Sequence, residues 1–146
     1  MRRAVVLDMK IGDKYTSRTR TVTESEIEAF CRANHLSEDF FLSDEAGKAA
    51  SLRKRVTPGA QTLVIASALT EDLTFGLLLV SMDKIKFVSP LYPPDTVHLE
   101  VQLLNKKTTS KGDRTFYTFS WVLKNQDGTM IAQGENTECT TKPLQK

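Results

Sequence analysis

The chain has 146 residues, 40% hydrophobic and 26% charged, with a net charge of +2. This length and balance fit one soluble globular domain, expected to cover residues 1–146, and the charge is too mild to support nucleic-acid binding by itself. No apolar stretch reaches the ~20 residues that cross a bilayer, and Ala4–Leu7 is too short for a signal-peptide core, so no membrane role is expected and the cytoplasm is the expected location.

Residues 1–13 read as a lead-in with a short strand at Ala4–Leu7, closed by a turn at Gly12-Asp13. Lys14 to Val22 is Thr-rich and polar, as an exposed edge strand would be. Thr23-Glu24-Ser25-Glu26 is a capping box, in which a hydroxyl and a carboxylate each satisfy the other residue's free N–H. The helix after it carries Ile27, Phe30, Cys31 and Asn34 at i, i+3, i+4, i+7 and should end near Asn34. His35 to Leu42 reads as an irregular loop, and Ser43 to Ser51 as a short helix capped by Ser43. Cys31 and Cys139 read as buried thiols of a reducing compartment rather than a structural disulfide.

The stretch 57–72, TPGAQTLVIASALTED, is the centre of the chain. Thr57 suits an N-cap and Pro58 the first helical position. The following residues are apolar on nearly every side, which places the helix in the middle of the fold. After a turn at residues 73–76 the period changes to two. Leu77 to Val88 starts fully apolar and then alternates, with Lys84 and Lys86 on one face and Ile85 and Phe87 on the other. Three prolines make Ser89–Asp95 a connection. Val97, Leu99, Val101 and Leu103 mark a strand with one wet face, and Tyr117, Phe119, Trp121 and Leu123 mark the next. Hairpin turns are expected at residues 110–113 and 125–128. Residues 130–141 form the last strand, weakened or kinked at Gly134, before a frayed terminus at 143–146. Helices followed by four long strands joined by hairpins make an α+β class with an antiparallel sheet wrapped around the central helix. The apolar edge at Leu77–Leu79 points to a dimer.

Four segments, in this order, resemble the MaoC-like branch of the hot-dog fold, which includes R-specific enoyl-CoA hydratases and acyl dehydratases. They are IGDKYTSRTRTVTESEIEAF, RVTPGAQTLVIASAL, KIKFVSPLYPPDTVHLEV, with Pro94 where Gly is usual, and NQDGTMIAQGE. The resemblance spans roughly residues 11–141 and implies a hot-dog fold acting on or binding 2-enoyl or 3-hydroxyacyl thioesters of coenzyme A or acyl carrier protein. The chain departs from the family at its Asp-x-Asn-Pro-x-His segment. Leu36 holds the Asp position and Phe41 the His position, and a one-residue slip does not restore the pair. Neither side chain can activate water or shuttle a proton, so activity as a hydro-lyase is an open expectation.

The resemblance places Gly59 at the start of the central helix, its N–H aimed at the thioester carbonyl oxygen, a role a helix N-terminus suits. The alternative is that Gly59 only permits close packing. Ser67 matches a family serine, or else bonds back within its helix. His35, with Glu38 or Asp39, is the candidate replacement acid–base pair; the plainer reading is a surface histidine past a helix end. His98, on the wet face of a strand, is assigned no chemistry. Arg53 and Arg55 are candidates for coenzyme A phosphates, and Leu36 and Phe41 for the wall of the acyl site. No cofactor is implied: there is no metal-ligand spacing and no Gly-rich phosphate loop. Two assemblies are compatible, a homodimer and a heterodimer in which this chain is the silent subunit.

Overall fold

The structure is a computed structural model describing residues 2–141. Its elements are β1 (Lys14–Thr16), β2 (Arg20–Thr21), α1 (Glu24–Ala33), α2 (Asp39–Leu42), α3 (Asp44–Ala49), α4 (Gly59–Ala68), β3 (Leu78–Phe87), β4 (Thr96–Thr108), β5 (Thr115–Lys124) and β6 (Met130–Cys139). The strands form an antiparallel sheet in the order β1-β4-β5-β6-β3, with β2 also pairing β4. This is the expected α+β architecture, with α4 held against the sheet. None of the described helices is long and apolar enough to cross a membrane.

The core follows from strand alternation. Val97, Leu99, Val101 and Leu103 of β4 and Tyr117, Phe119, Trp121 and Leu123 of β5 all point inward and are buried. Register sets Leu99 against Leu123, Val101 against Trp121 and Leu103 against Phe119, so matched apolar pairs repeat along the sheet. Ile65, Ala66 and Leu69 of α4 and Ile27 and Cys31 of α1 complete the same core. Each fully buried large side chain contributes roughly 1.5–3 kcal/mol. Both cysteines are free and buried, and burial raises the Cys31 thiol pKa.

The capping box forms: the Thr23 hydroxyl accepts from the Glu26 N–H at 3.2 Å, and the Glu26 carboxylate accepts from the Thr23 N–H at 2.9 Å. Ser43 caps α3 by accepting from Ala46. The turns at Gly112 and Gly128 have φ of 72° and 76°, the left-handed conformation that Gly adopts at no steric cost.

Several expectations are corrected. Ala4–Leu7 is not a strand; Val5–Asp8 is a 3₁₀ turn whose start is tied to the segment after α4 by Val5 N–H to Asp72 O and Val6 N–H to Leu73 O. The loop 35–42 ends in the single helical turn α2. The expected edge strand 14–22 is two short strands. On α1 the buried stripe is Ile27 and Cys31; Phe30 is half-buried and Asn34 exposed.

The central helix starts one residue later than expected and ends at Ala68. Thr57 is not its cap: its hydroxyl accepts from no helix amide and Pro58 takes the N-cap position, while the Thr57 N–H is bonded to Leu91 O at 2.8 Å. Nor is the helix buried all round. Gln61 and Thr62 face inward, while Val64 is 53% exposed. Gln61 reaches α1, its Nε2 donating to Glu26 O, and the Thr62 hydroxyl donates to Pro58 O.

β3 pairs with β6 at the far edge of the sheet, so it reaches β4 by a crossing connection rather than a hairpin. Its expected alternation fails at Lys84, where φ is 54° and the register to β6 shifts between Asp83 and Lys86. Such a bulge sets two residues against one and re-aims the strand. The residue opposite the bulge is Gly134, between Gln133 and Glu135. β6 itself is not kinked there, since its register with β5 runs unbroken through the Trp121–Gly134 pair. The expected fraying at 143–146 lies outside the described residues.

Candidate functional site

Two cavities lie at the two ends of α4. The first, about 250 Å³, is lined by Val56, Thr57, Gly59, Thr62, Phe87 and Leu91 among others. Gly59 is the first helical residue of α4, and the amides at a helix start have no carbonyl one turn back to bond. No side chain caps this end. Thr57 is only 4% exposed, and its hydroxyl finds no hydrogen-bond partner. A free helix N-terminus and an unpaired buried hydroxyl therefore share one cavity, which suits an oxygen carrying negative charge.

Of the two readings of Gly59, tight packing has little structural support. A Cβ added there would meet nothing nearer than the Phe87 ring at 3.7 Å, an ordinary contact.

The segment that departs from the family sits beside this cavity. Phe40 O accepts from the N–H of Val56, a lining residue, at 2.9 Å. Leu36 and Phe41 are half-buried and pack against the core, and Phe40 meets Phe41 edge-on with centroids 4.8 Å apart. His35 is exposed with φ of 57°. Glu38 and Asp39 are exposed as well, and among the described residues neither forms a hydrogen bond or ion pair with His35. No titratable side chain lines the Gly59 cavity.

The basic residues part company. Arg55 is an internal tie: its guanidinium lies 3.4 Å from Glu28, 3.7 Å from Asp44 and 4.0 Å from Glu24, and it donates to Leu42 O. Only 11% of its side chain is exposed, so it joins α1, α2 and α3 to the lead-in of α4. Arg53 stays exposed, with its guanidinium 4.6 Å over the Tyr92 ring. The pair of His98 with Glu100, 3.0 Å apart and joined by Lys124, lies on the outer face of the sheet. Hydrogen bonds from His98 and then Lys124 hold the Glu100 carboxyl below its usual range.

The second cavity, about 540 Å³, opens between the C-terminal half of α4 and strands β3 and β6. Ser67 and Val64 line it from the helix, Phe75 and Leu79 from beside β3, and Asn136 and Glu138 from β6. Glu138 is 5% exposed; burial pushes its pKa up to about 7, against hydrogen bonds from Thr74 and Asn136 that favour the charged form. Thr57 as a site residue and Glu138 were both missed from the sequence. A signal for Glu138 was present: Ala132, Gly134, Asn136 and Glu138 share the inward register of β6.

Among the described residues no group of three or more His, Cys, Asp or Glu side chains is placed to hold a metal ion.

The model of the family described as MaoC like domain matches residues 7–116. No curated protein sequence matches the chain. Among solved structures, a MaoC-like dehydratase from Rhodospirillum rubrum is similar at TM-score 0.81 and 20% identity, over 94% of this chain and 97% of that one. An (R)-hydratase from A. caviae involved in PHA biosynthesis is similar at TM-score 0.75 and 16% identity, over 91% and 97%. So is the HadBC (3R-hydroxyacyl-ACP dehydratase) complex from Mycobacterium tuberculosis, at TM-score 0.74 and 16% identity, over 88% and 96%. At these identities the likeness shows the shared fold.

Proposed function

The chain belongs to the MaoC-like domain family, and on that premise we propose that it binds 2-enoyl or 3-hydroxyacyl thioesters, carried by coenzyme A or acyl carrier protein, without hydrating or dehydrating them by its own side chains. One observation carries this reading: the Gly59 cavity offers hydrogen-bond donors but no titratable group. The thioester carbonyl oxygen sits against the Gly59 N–H and the Thr57 hydroxyl. Hydration would also require a group that takes and returns a proton within hydrogen-bond reach, and Leu36 and Phe41 stand where the family keeps one.

A second chain completes the assembly across β3, either another copy or a related subunit carrying the acid–base pair. Support comes from β3 itself, an edge strand on which Leu78, Leu79 and Val80 are 56%, 50% and 53% exposed. The HadBC dehydratase structure is itself described as a complex. The proposed compartment is the cytoplasm, where free thiols such as Cys31 and Cys139 persist.

The test is calorimetry with crotonyl-CoA alongside a hydration assay on the purified chain. Binding without turnover is expected. Turnover by the chain alone overturns the silent reading, and its loss in His35→Ala would then assign the acid–base role to His35. Absence of all acyl-CoA and acyl-carrier-protein binding removes the proposal altogether.

A further inference from the structure

The larger cavity has a composition that a plain hydrocarbon does not call for. Its mouth is apolar, with Val64, Phe75 and Leu79, but on its β6 side it holds the Glu138 carboxyl beside the Asn136 amide and Thr74. Both β6 side chains are at least nine-tenths buried, Asn136 at 2% and Glu138 at 5% exposure. The Asn136 amide is oriented by a neighbour: Trp121 Nε1 donates to its Oδ1 at 2.9 Å, leaving the NH₂ end to face Glu138. The carboxyl thus lies beside two polar side chains and is turned to a cavity that an apolar guest would leave dry. Covering a buried carboxyl with hydrocarbon, which returns no hydrogen bond, is costly.

The two cavities share no lining residue, and the outward face of α4 runs between them. Ala60, Val64, Ser67 and Ala68 follow i, i+4, i+7, i+8 and form an outward stripe of small and apolar groups. From Gly59 to Ser67 the helix rises about 12 Å, the span of a medium-length acyl chain. A thioester seated at Gly59 has a path along this stripe into the larger cavity.

We propose that the larger cavity receives the far end of the acyl chain and that Glu138, positioned by Asn136 and Thr74, selects chains whose end donates a hydrogen bond, a hydroxyl or an ammonium, over plain alkyl chains. The carrier and entry point in this proposal rest on the acyl-thioester reading; the selectivity of the cavity does not. No basic residue lines the cavity; at its rim the Arg2 guanidinium lies 4.1 Å over the Phe75 ring and 3.6 Å from Glu71, so discrimination against a chain ending in a carboxylate falls to the Glu138 carboxyl inside.

The test compares the affinities of decanoyl-, 10-hydroxydecanoyl-, 10-aminodecanoyl- and decanedioyl-CoA for the wild-type chain by calorimetry. At least one donor-ended ester should bind about tenfold tighter than decanoyl-CoA, the effect of one hydrogen bond to an ionisable group. Glu138→Leu should reverse that order, and Glu138→Gln, which keeps the shape, should retain a preference for the hydroxyl. Equal or tighter binding of decanoyl- or decanedioyl-CoA by wild type overturns the proposal without any variant having to fold. If no CoA ester binds at all, the acyl-thioester reading falls, and the cavity is tested by itself with 1-hexanol. A shift of the ¹³C-carboxyl resonance of Glu138 on adding 1-hexanol then supports the selectivity, and an unmoved resonance sinks it.

Discussion

The indole N–H of Trp121 donates to Asn136 Oδ1 at 2.9 Å, and Gly134, cross-strand partner of Trp121, leaves the space in which the ring lies. A Cβ at Gly134 would fall 2.7 Å from Trp121 Cζ2 and 2.9 Å from Cε2. The ring is buried and rigid, so it cannot yield as the end of a flexible side chain would. Gly134→Ala is therefore expected to destabilise the fold by about 1–3 kcal/mol, as overpacking does. The thermal midpoint should fall by roughly 3–9 °C, and a melt followed by tryptophan fluorescence reports both the loss and the displaced ring.

Glu138 makes stability depend on pH. In the folded chain burial raises its pKa to about 7 from the ordinary carboxyl value of 4.5, so between those values the folded state holds a proton that the unfolded chain has released. The group's contribution is full below 4.5 and is lost as pH rises through 7, a decline on the order of 3 kcal/mol. Urea melts of wild type and Glu138→Gln from pH 4 to 8 isolate it: the difference between the two curves should slope in this window and flatten outside it.

Arg55 holds together the side of the molecule that carries Leu36 and Phe41. Its partners Glu24, Glu28 and Asp44 are about half exposed, so solvent screens the pairs, but the guanidinium itself is buried. Arg55→Ala should cost about 2 kcal/mol, between the exposed and the fully buried cases. Arg53→Ala, at an exposed position, should change stability by less than about 0.5 kcal/mol. Chemical denaturation of the two variants distinguishes the tie from the free cation.

Thr57→Val and Gly59→Ala separate binding from folding. Neither adds a clash at Gly59, where the nearest contact would be the Phe87 ring at 3.7 Å, and Val removes a hydroxyl that has no partner. Both variants should melt within about 1 kcal/mol of wild type. Crotonyl-CoA should bind several-fold more weakly to Thr57→Val if the hydroxyl meets the carbonyl oxygen, and unchanged affinity would remove Thr57 from the site.

The exposed strand β3 gives a prediction about assembly. Wild type is expected to elute as a dimer, and Leu78→Lys with Val80→Lys should shift it to a monomer in sedimentation. A monomeric wild type would remove the basis for pairing across β3.

Much of the fold was legible because its signals are local. β4 and β5 announce themselves through two-residue alternation, and α1 through a capping box contained in four residues. What was not legible depends on contacts distant in the chain. Thr57 looks like a cap, but its backbone is tied to Leu91, the helix starts at Gly59 and its hydroxyl meets no helix amide. Gln61 and Thr62 are polar interruptions of an otherwise apolar helix, yet both are buried and Gln61 bonds α1 through Glu26. The alternation of β3 fails at Lys84 because the strand has to bend around its neighbour in β6. At the site, the loss of the Asp and His positions was readable at Leu36 and Phe41. Glu138 was passed over because a carboxylate in a strand is usually solvated, and only the register of β6 turns it inward.

The two margins of the sheet differ. One is long and opens on an apolar run, the ten-residue β3 with Leu78, Leu79 and Val80 at its start; the other is the short, polar Lys14–Thr16 of β1. Two copies meeting back to back through β3, as proposed, would use up the longer sheet border that each presents among the described residues, leaving stubs at both outer ends. Such an association would be self-limiting by geometry: it would close at two and offer a third molecule only the short β1 border on which to extend a ribbon.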